Sequence, residues 1–286
     1  PRFIDEYQYA YWQSYVLYVG YVGILHFGLL DGLVLRYSQY DYEELDKARV
    51  RSQFVILLLF TAMLAVISII VALIALSGPA RYVVIFVGIG IISKNFHTYN
   101  SYTFQITNRI NKYAVIVIAQ RVSYGAIVAV LLLLKVNDFR YYCMAELGGD
   151  VVAILLAMIF NKGMYFGKAL PVKDAFSELK LNIAAGIVLM LANLSAGLIV
   201  GSAKMIIQWR WDELVFGKVS FAFSLSSVFL TFVTAISVVL FPSLKRLDPE
   251  TLPALYKKIR NAVSIVLFFV LIFYFPGCYI LNLWIP

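Results

Sequence analysis

Long apolar runs recur along the entire chain, and they constrain the fold more than any other feature. Each run approaches the ~20 residues that an α-helix needs to cross roughly 30 Å of hydrocarbon. Apolar residues make up 62% of the sequence and charged residues only 14%, too little polar material to cover a soluble globule. We therefore predict an all-α polytopic membrane protein with about eight transmembrane helices. The predicted spans are 9–30, 53–76, 82–104, 114–134, 139–160, 183–202, 217–241 and 262–284.

Lys and Arg residues concentrate in alternate loops, which predicts the orientation in the membrane. Fifteen of them lie in the loops 33–52, 105–113, 161–182 and 242–261, and seven lie on the opposite side. By the positive-inside rule the richer loops are cytoplasmic, so both chain ends are expected outside. The net charge of +8 belongs to this pattern and does not indicate nucleic acid. An outside start at Pro1, without Met, predicts a missing upstream helix.

The longest polar connector, 161–182, predicts a division into two helical lobes. It contains an amphipathic segment after Pro171, as expected of a cytoplasmic linker. We predict an N-terminal lobe at 1–160 whose first helix is missing, and the truncated start of a C-terminal lobe at 183–286. A weak repeat between 7–36 and 216–246 supports this division.

Ionisable side chains inside the spans are the first candidates for function, because a central charge costs at least ~2.5–3.5 kcal/mol on insertion scales. Lys94 lies near the middle of the third span, and Arg121 lies about two turns inside the fourth. Together they predict a cationic cavity for a phosphate or pyrophosphate, with snorkelling toward the headgroups as the alternative. Polar residues near them are further candidates for the cavity: His97, Ser101, Gln120 and Tyr124.

Two acidic residues of the fifth span, Glu146 and Asp150, lie one helical turn apart on one face. They are candidates for ion coupling, either by pairing with the cations or by binding a proton or Na⁺. Hydration near the outer interface is the alternative.

Aromatic and amide side chains offer possible contacts for sugars. Tyr11, Tyr15 and Tyr18 follow one stripe of the first span, where they either stack on sugars or belong to an interfacial belt or to helix packing. Asn193 is a lone polar residue of the sixth span that either lines a cavity or bonds across helices.

The stretch "GILHFGLLDG" has the H-x-x-x-x-D spacing of some membrane acyltransferases. On a regular helix His26 and Asp31 are about 140° apart and would converge only if the helix broke, which Gly28 and Gly32 could permit. No further acceptor or phosphate-binding motif accompanies them. We therefore predict no enzyme, and we interpret the pair as marking the cytoplasmic end of a transport helix. Cys143 and Cys278 lack metal-ligand spacing, so neither a metal nor a cofactor is predicted.

Three stretches resemble the bacterial lipid-linked oligosaccharide flippases, the O-antigen and teichoic-acid exporters (Wzx or polysaccharide-biosynthesis family) of the MOP superfamily. The stretch "LYVGYVGILHFGLLDGLVLRYSQYDYEELDKARVRSQF" resembles the second helix and following loop. The others are "ITNRINKYA", similar to the loop after the fourth helix, and "FGKVSFAFSLSSVFLTFVTAISVVLFPSLKRL", similar to the eighth helix. Gln8 departs from the family, which often has Gly there.

The resemblance implies two lobes of about six helices and a central cavity open to one side at a time, with helices two through nine present here. It also implies transport of an undecaprenyl-pyrophosphate-linked glycan across the bacterial cytoplasmic (inner) membrane, and cationic cavity residues in general. From their positions inside the spans, we expect Lys94 and Arg121 to hold the pyrophosphate. The expected partners are this lipid-linked oligosaccharide, membrane lipids, and H⁺ or Na⁺. Two alternatives remain: a MATE-like ion-coupled multidrug antiporter, which would use buried carboxylates, and a membrane glycan polymerase or ligase.

Overall fold

The computed structural model describes residues 4–227 and 252–284, and every regular element in these ranges is helical. The helices are α1 (Glu6–Val19), α2 (Leu29–Tyr37), α3 (Lys47–Ala75), α4 (Gly78–Ile106), α5 (Ile110–Leu133), α6 (Phe139–Phe160), α7 (Lys162–Tyr165), α8 (Val172–Arg210), α9 (213–227) and α10 (Leu252–Trp284). A 3₁₀ turn over Val22–His26 connects α1 to α2.

Five helices, α3, α4, α5, α6 and α8, are long and apolar enough to cross a membrane, and α1 with α2 adds a sixth if the bent pair forms one span. The protein is therefore a helical multi-pass membrane protein, as predicted, with the second to sixth predicted spans inside these five helices. Residues 228–251 lie outside the described residues, and they include most of the seventh predicted span, 217–241, and half of the loop 242–261. The eighth, 262–284, lies within α10. The described part of the chain thus supports five or six spans, and the count of eight is not confirmed.

Helix starts are set by capping residues rather than by the bilayer boundary. The Asp46 carboxylate accepts hydrogen bonds from the backbone of Ala48 and Arg49, so α3 begins six residues before the predicted span. Asp138 caps α6 in the same way, and a proline in the first turn starts α4 after a two-residue turn. At Asp138 the Arg140 guanidinium lowers the pKa of the carboxyl group, which keeps the cap ionised.

The first predicted span, 9–30, is not one continuous helix. Phe27 and Gly28 both adopt left-handed backbone conformations, with φ of 49° and 80°, and the segments before and after them meet at a 56° bend. Glycine tolerates this conformation without the steric cost of a side chain. The break places α2 against α8.

α2 and α8 pack with their backbones in close approach. A Cβ atom on Gly32 would lie 1.9 Å from the Asn182 carbonyl oxygen, and one on Gly186 would lie 2.1 Å from the Gly28 carbonyl oxygen. Small residues at such crossings replace side-chain packing by backbone contact. One turn beyond Gly32, the Arg36 guanidinium of α2 forms an ion pair with the Glu178 carboxylate of α8.

The predicted linker, 161–182, is largely helical. It comprises α7, a short loop and the first three turns of α8, because no further proline interrupts the chain between Pro171 and Arg210 and the helix continues for 39 residues. Of the described residues, those up to Gly217 form one compact unit that includes α8, and those from Lys218 belong to a second unit. The cores of the larger unit lie among α1 to α4, α6 and α7.

Candidate functional site

A cluster of ionisable residues lies inside the bundle, between α4 and α6. The ammonium nitrogen Nζ of Lys94 is 2.7 Å from Glu146 Oε1 and 2.9 Å from Asp150 Oδ2. Asp150 is fully buried, whereas the side chains of Lys94 and Glu146 are 20% and 17% exposed. The cluster is thus closed at Asp150 and partly accessible at Glu146.

Asp150 is held more firmly than Glu146. The Ser93 hydroxyl donates a 2.8 Å hydrogen bond to Asp150 Oδ2, and the Gln120 amide donates a 2.6 Å bond to Oδ1. Gly149 permits this approach of α5 to α6, since a Cβ atom there would lie 2.9 Å from the Gln120 carbonyl oxygen. Residues of α4 and α5 therefore fix Asp150 of α6, whereas the described contact of Glu146 is with Lys94.

The cluster contains one cation and two carboxylates. Of the roles left open for Glu146 and Asp150, the structure shows pairing with Lys94. An anion bound in the predicted cationic cavity would therefore meet a lysine that already has two carboxylate partners. Two ionised carboxylates and one ammonium carry a net charge of −1.

Arg121 and the other residues predicted to line the cavity differ in how far they are buried. Arg121 is exposed on α5, and no ion pair joins it to a residue in the described ranges. His97 lies on α4, half-buried, and its Nδ1 atom is buried without a hydrogen-bond partner among the described groups. Ser101 and Tyr124 are also half-buried, each about one turn farther along its helix from His97 and Gln120, respectively.

The tyrosine stripe of α1 does not line a single surface. Tyr11 and Tyr18 line a pocket of about 620 Å³ together with Gln208 of α8. Tyr15, in contrast, is fully buried in the core, where its ring lies 6.4 Å from that of Phe86. Tyr15 therefore belongs to the helix packing, which was one of the alternatives left open, and contact of Tyr11 and Tyr18 with sugars stays a prediction.

His26 and Asp31 converge because the helix breaks between them. His26 Nε2 lies 3.7 Å from Asp31 Oδ2, and the two side chains are only 7% and 3% exposed. Both line a small pocket of about 170 Å³ with Tyr102 of α4 and Asn193 of α8. Both are buried among α2, α4 and α8, and the interpretation that they mark the exit of a helix from the bilayer stays a prediction.

Two contributors to these sites were missed from the sequence. Ser93 precedes Lys94 on α4, and Tyr102 lies near its end; neither carries a charge that would single it out in an apolar span. Their roles depend on which helices are neighbours. The helical period of a single sequence indicates which residues share one face of a helix, but not which helices pack against each other.

These features define a helical multi-pass membrane protein that holds an ion cluster within its bundle. No protein-family model matches the chain, and no curated protein and no solved structure matches it either.

Proposed function

We propose that the protein is a membrane transporter that moves a lipid-linked oligosaccharide to the outer leaflet of a bacterial cytoplasmic membrane by alternating access. The observation that supports transport is the cluster of Lys94, Glu146 and Asp150 inside the helical bundle. Charged groups within membrane spans are costly, and their usual use is in substrate or ion pathways. The choice of substrate rests on the resemblance of residues 17–54 to the flippases.

Lys94 is the group of the cluster that would bind an anionic pyrophosphate. Asp150 is buried and accepts two further hydrogen bonds, whereas Glu146 is partly exposed. A phosphate oxygen arriving from the exposed side therefore competes with Glu146 for the ammonium group. Protonation of Glu146 removes that competition, so proton uptake and anion binding favour each other.

A second candidate function is an ion-coupled antiporter for cationic drugs. The excess of carboxylates over cations in the cluster favours it, because a lipophilic cation would compensate the remaining negative charge. The two functions differ in the sign of the substrate, which an experiment in cells can distinguish.

We expect Lys94→Gln and Arg121→Gln each to abolish surface polysaccharide in cells that carry the variant as the only copy of the gene. Both changes remove a positive charge that the anionic headgroup needs. The measurement is surface polysaccharide at equal membrane levels of the protein. Lys112→Gln, which removes an exposed cation from the first turn of α5, is the matched control and should leave the polysaccharide unchanged.

Normal polysaccharide in both variants would overturn the flippase proposal. If the variants instead change resistance to lipophilic cations while polysaccharide stays normal, the antiporter is supported.

A further inference from the structure

A second polar site lies at the break between the 3₁₀ turn and α2. The pocket of about 170 Å³ is lined by His26, Asp31, Tyr102 and Asn193. A water molecule occupies about 30 Å³ of the liquid, so the pocket has room for a small ion with water. It is separate from the Lys94 cluster, none of whose residues line it.

One oxygen of the Asp31 carboxylate has no hydrogen-bond partner in the described structure. Asp31 is only 2% exposed, and its Oδ2 atom is buried without a partner. Its other oxygen, Oδ1, accepts a long bond of 3.4 Å from the Tyr102 hydroxyl. A buried ionised carboxylate is costly unless a cation compensates its charge.

His26 does not supply that cation. The backbone N–H of Gly28 donates a 3.2 Å hydrogen bond to His26 Nδ1, so this nitrogen carries no proton and the ring is neutral. The proton then resides on Nε2, which lies 3.7 Å from Asp31 Oδ2, beyond the range of a hydrogen bond. The turn at Gly28 thus holds His26 in a form that leaves Asp31 uncompensated.

The Lys94 cluster and the Asp31 pocket differ in whether they contain a cation. In the cluster, Lys94 contacts both Glu146 and Asp150 and provides an internal cation. At Asp31 no Lys or Arg lines the pocket. The Lys94 cluster therefore contains an internal cation, which the pocket beside Asp31 lacks.

We propose that the pocket beside Asp31 binds a sodium ion. The Asp31 carboxylate is the anionic ligand, and the side-chain oxygens of Tyr102 and Asn193, with water, complete the site. Hard cations prefer oxygen ligands of this kind, and broken membrane helices expose backbone and side-chain groups that bind Na⁺. Because the site adjoins the bend at Phe27 and Gly28, sodium occupancy and the bend angle are linked.

Thermal unfolding of the purified protein in detergent tests this site without a transport substrate. We expect the unfolding midpoint to rise by a few degrees, saturably, as NaCl replaces choline chloride at constant ionic strength. Asp31→Asn should remove the sodium response. Glu146→Gln, the matched change in the other cluster, should retain it.

Asn193→Ala provides a second variant in case Asp31→Asn does not fold. It should shift the half-saturating sodium concentration upward, since one ligand is lost. An equal response of the unfolding midpoint in choline chloride would overturn the proposal, and so would loss of the sodium response in Glu146→Gln. An undiminished response in Asp31→Asn would also overturn it. Where Asp31→Asn does not fold, an undiminished response in Asn193→Ala has the same meaning. None of these results depends on whether the protein carries an oligosaccharide, so this test and the polysaccharide assay fail independently.

Discussion

Lys94→Met is expected to destabilise the protein by about 3–5 kcal/mol, because it leaves two carboxylates without their cation inside the bundle. Glu146 and Asp150 are one turn apart on α6, so the loss of the ammonium group also exposes each to the other's charge. The measurement is the free energy of unfolding in detergent micelles. Methionine preserves most of the length of the lysine side chain, which limits the effect of lost packing.

The triple variant Lys94→Met, Glu146→Gln, Asp150→Asn is the control for charge. It removes all three charges at nearly constant volume, so it should recover most of the loss, as replacement of a complete buried ion cluster often does. Recovery identifies the uncompensated carboxylates as the cause. A single Lys94→Met variant within about 1 kcal/mol of the wild type would contradict the ion pairing, because surface pairs contribute no more than that.

The sequence was sufficient to find the members of this cluster but not their pairing. Lys94, Glu146 and Asp150 are conspicuous because charges are rare in apolar spans. Their contact depends on α4 and α6 being neighbours with matching rotation, which hydropathy does not encode. The same limit explains why Ser93, an uncharged hydrogen-bond donor to Asp150, was missed.

The helix break shows a different limit of sequence interpretation. An ideal helix separates His26 from Asp31 by about 140°, so their convergence depended on a break in the helix. Gly28 indicated that a break was permitted, but not that Phe27 would also adopt a left-handed conformation. Likewise, hydropathy finds the length of chain inside the bilayer, so it detected 183–202 but not the 39-residue extent of α8.

Gly186→Ala is expected to destabilise the packing of α8 on α2 by about 1–3 kcal/mol, the usual cost of overpacking. A Cβ atom at this position would lie 2.1 Å from the Gly28 carbonyl oxygen and 2.2 Å from the Gly32 amide nitrogen. Both obstacles are backbone atoms, so no side-chain rotation can relieve the clash and the helices must separate. The unfolding free energy in detergent measures the effect.

Gly197→Ala is the matched control on the same helix, because a Cβ atom there meets nothing within 4 Å. Alanine is favoured over glycine in a helix by about 0.5–1 kcal/mol, so this variant should be as stable as the wild type or more stable. If Gly186→Ala were equally harmless, the close approach of α2 and α8 would be wrong. The position of Asn193 beside Asp31 would then lose support, since Asn193 lies two turns from Gly186 on α8.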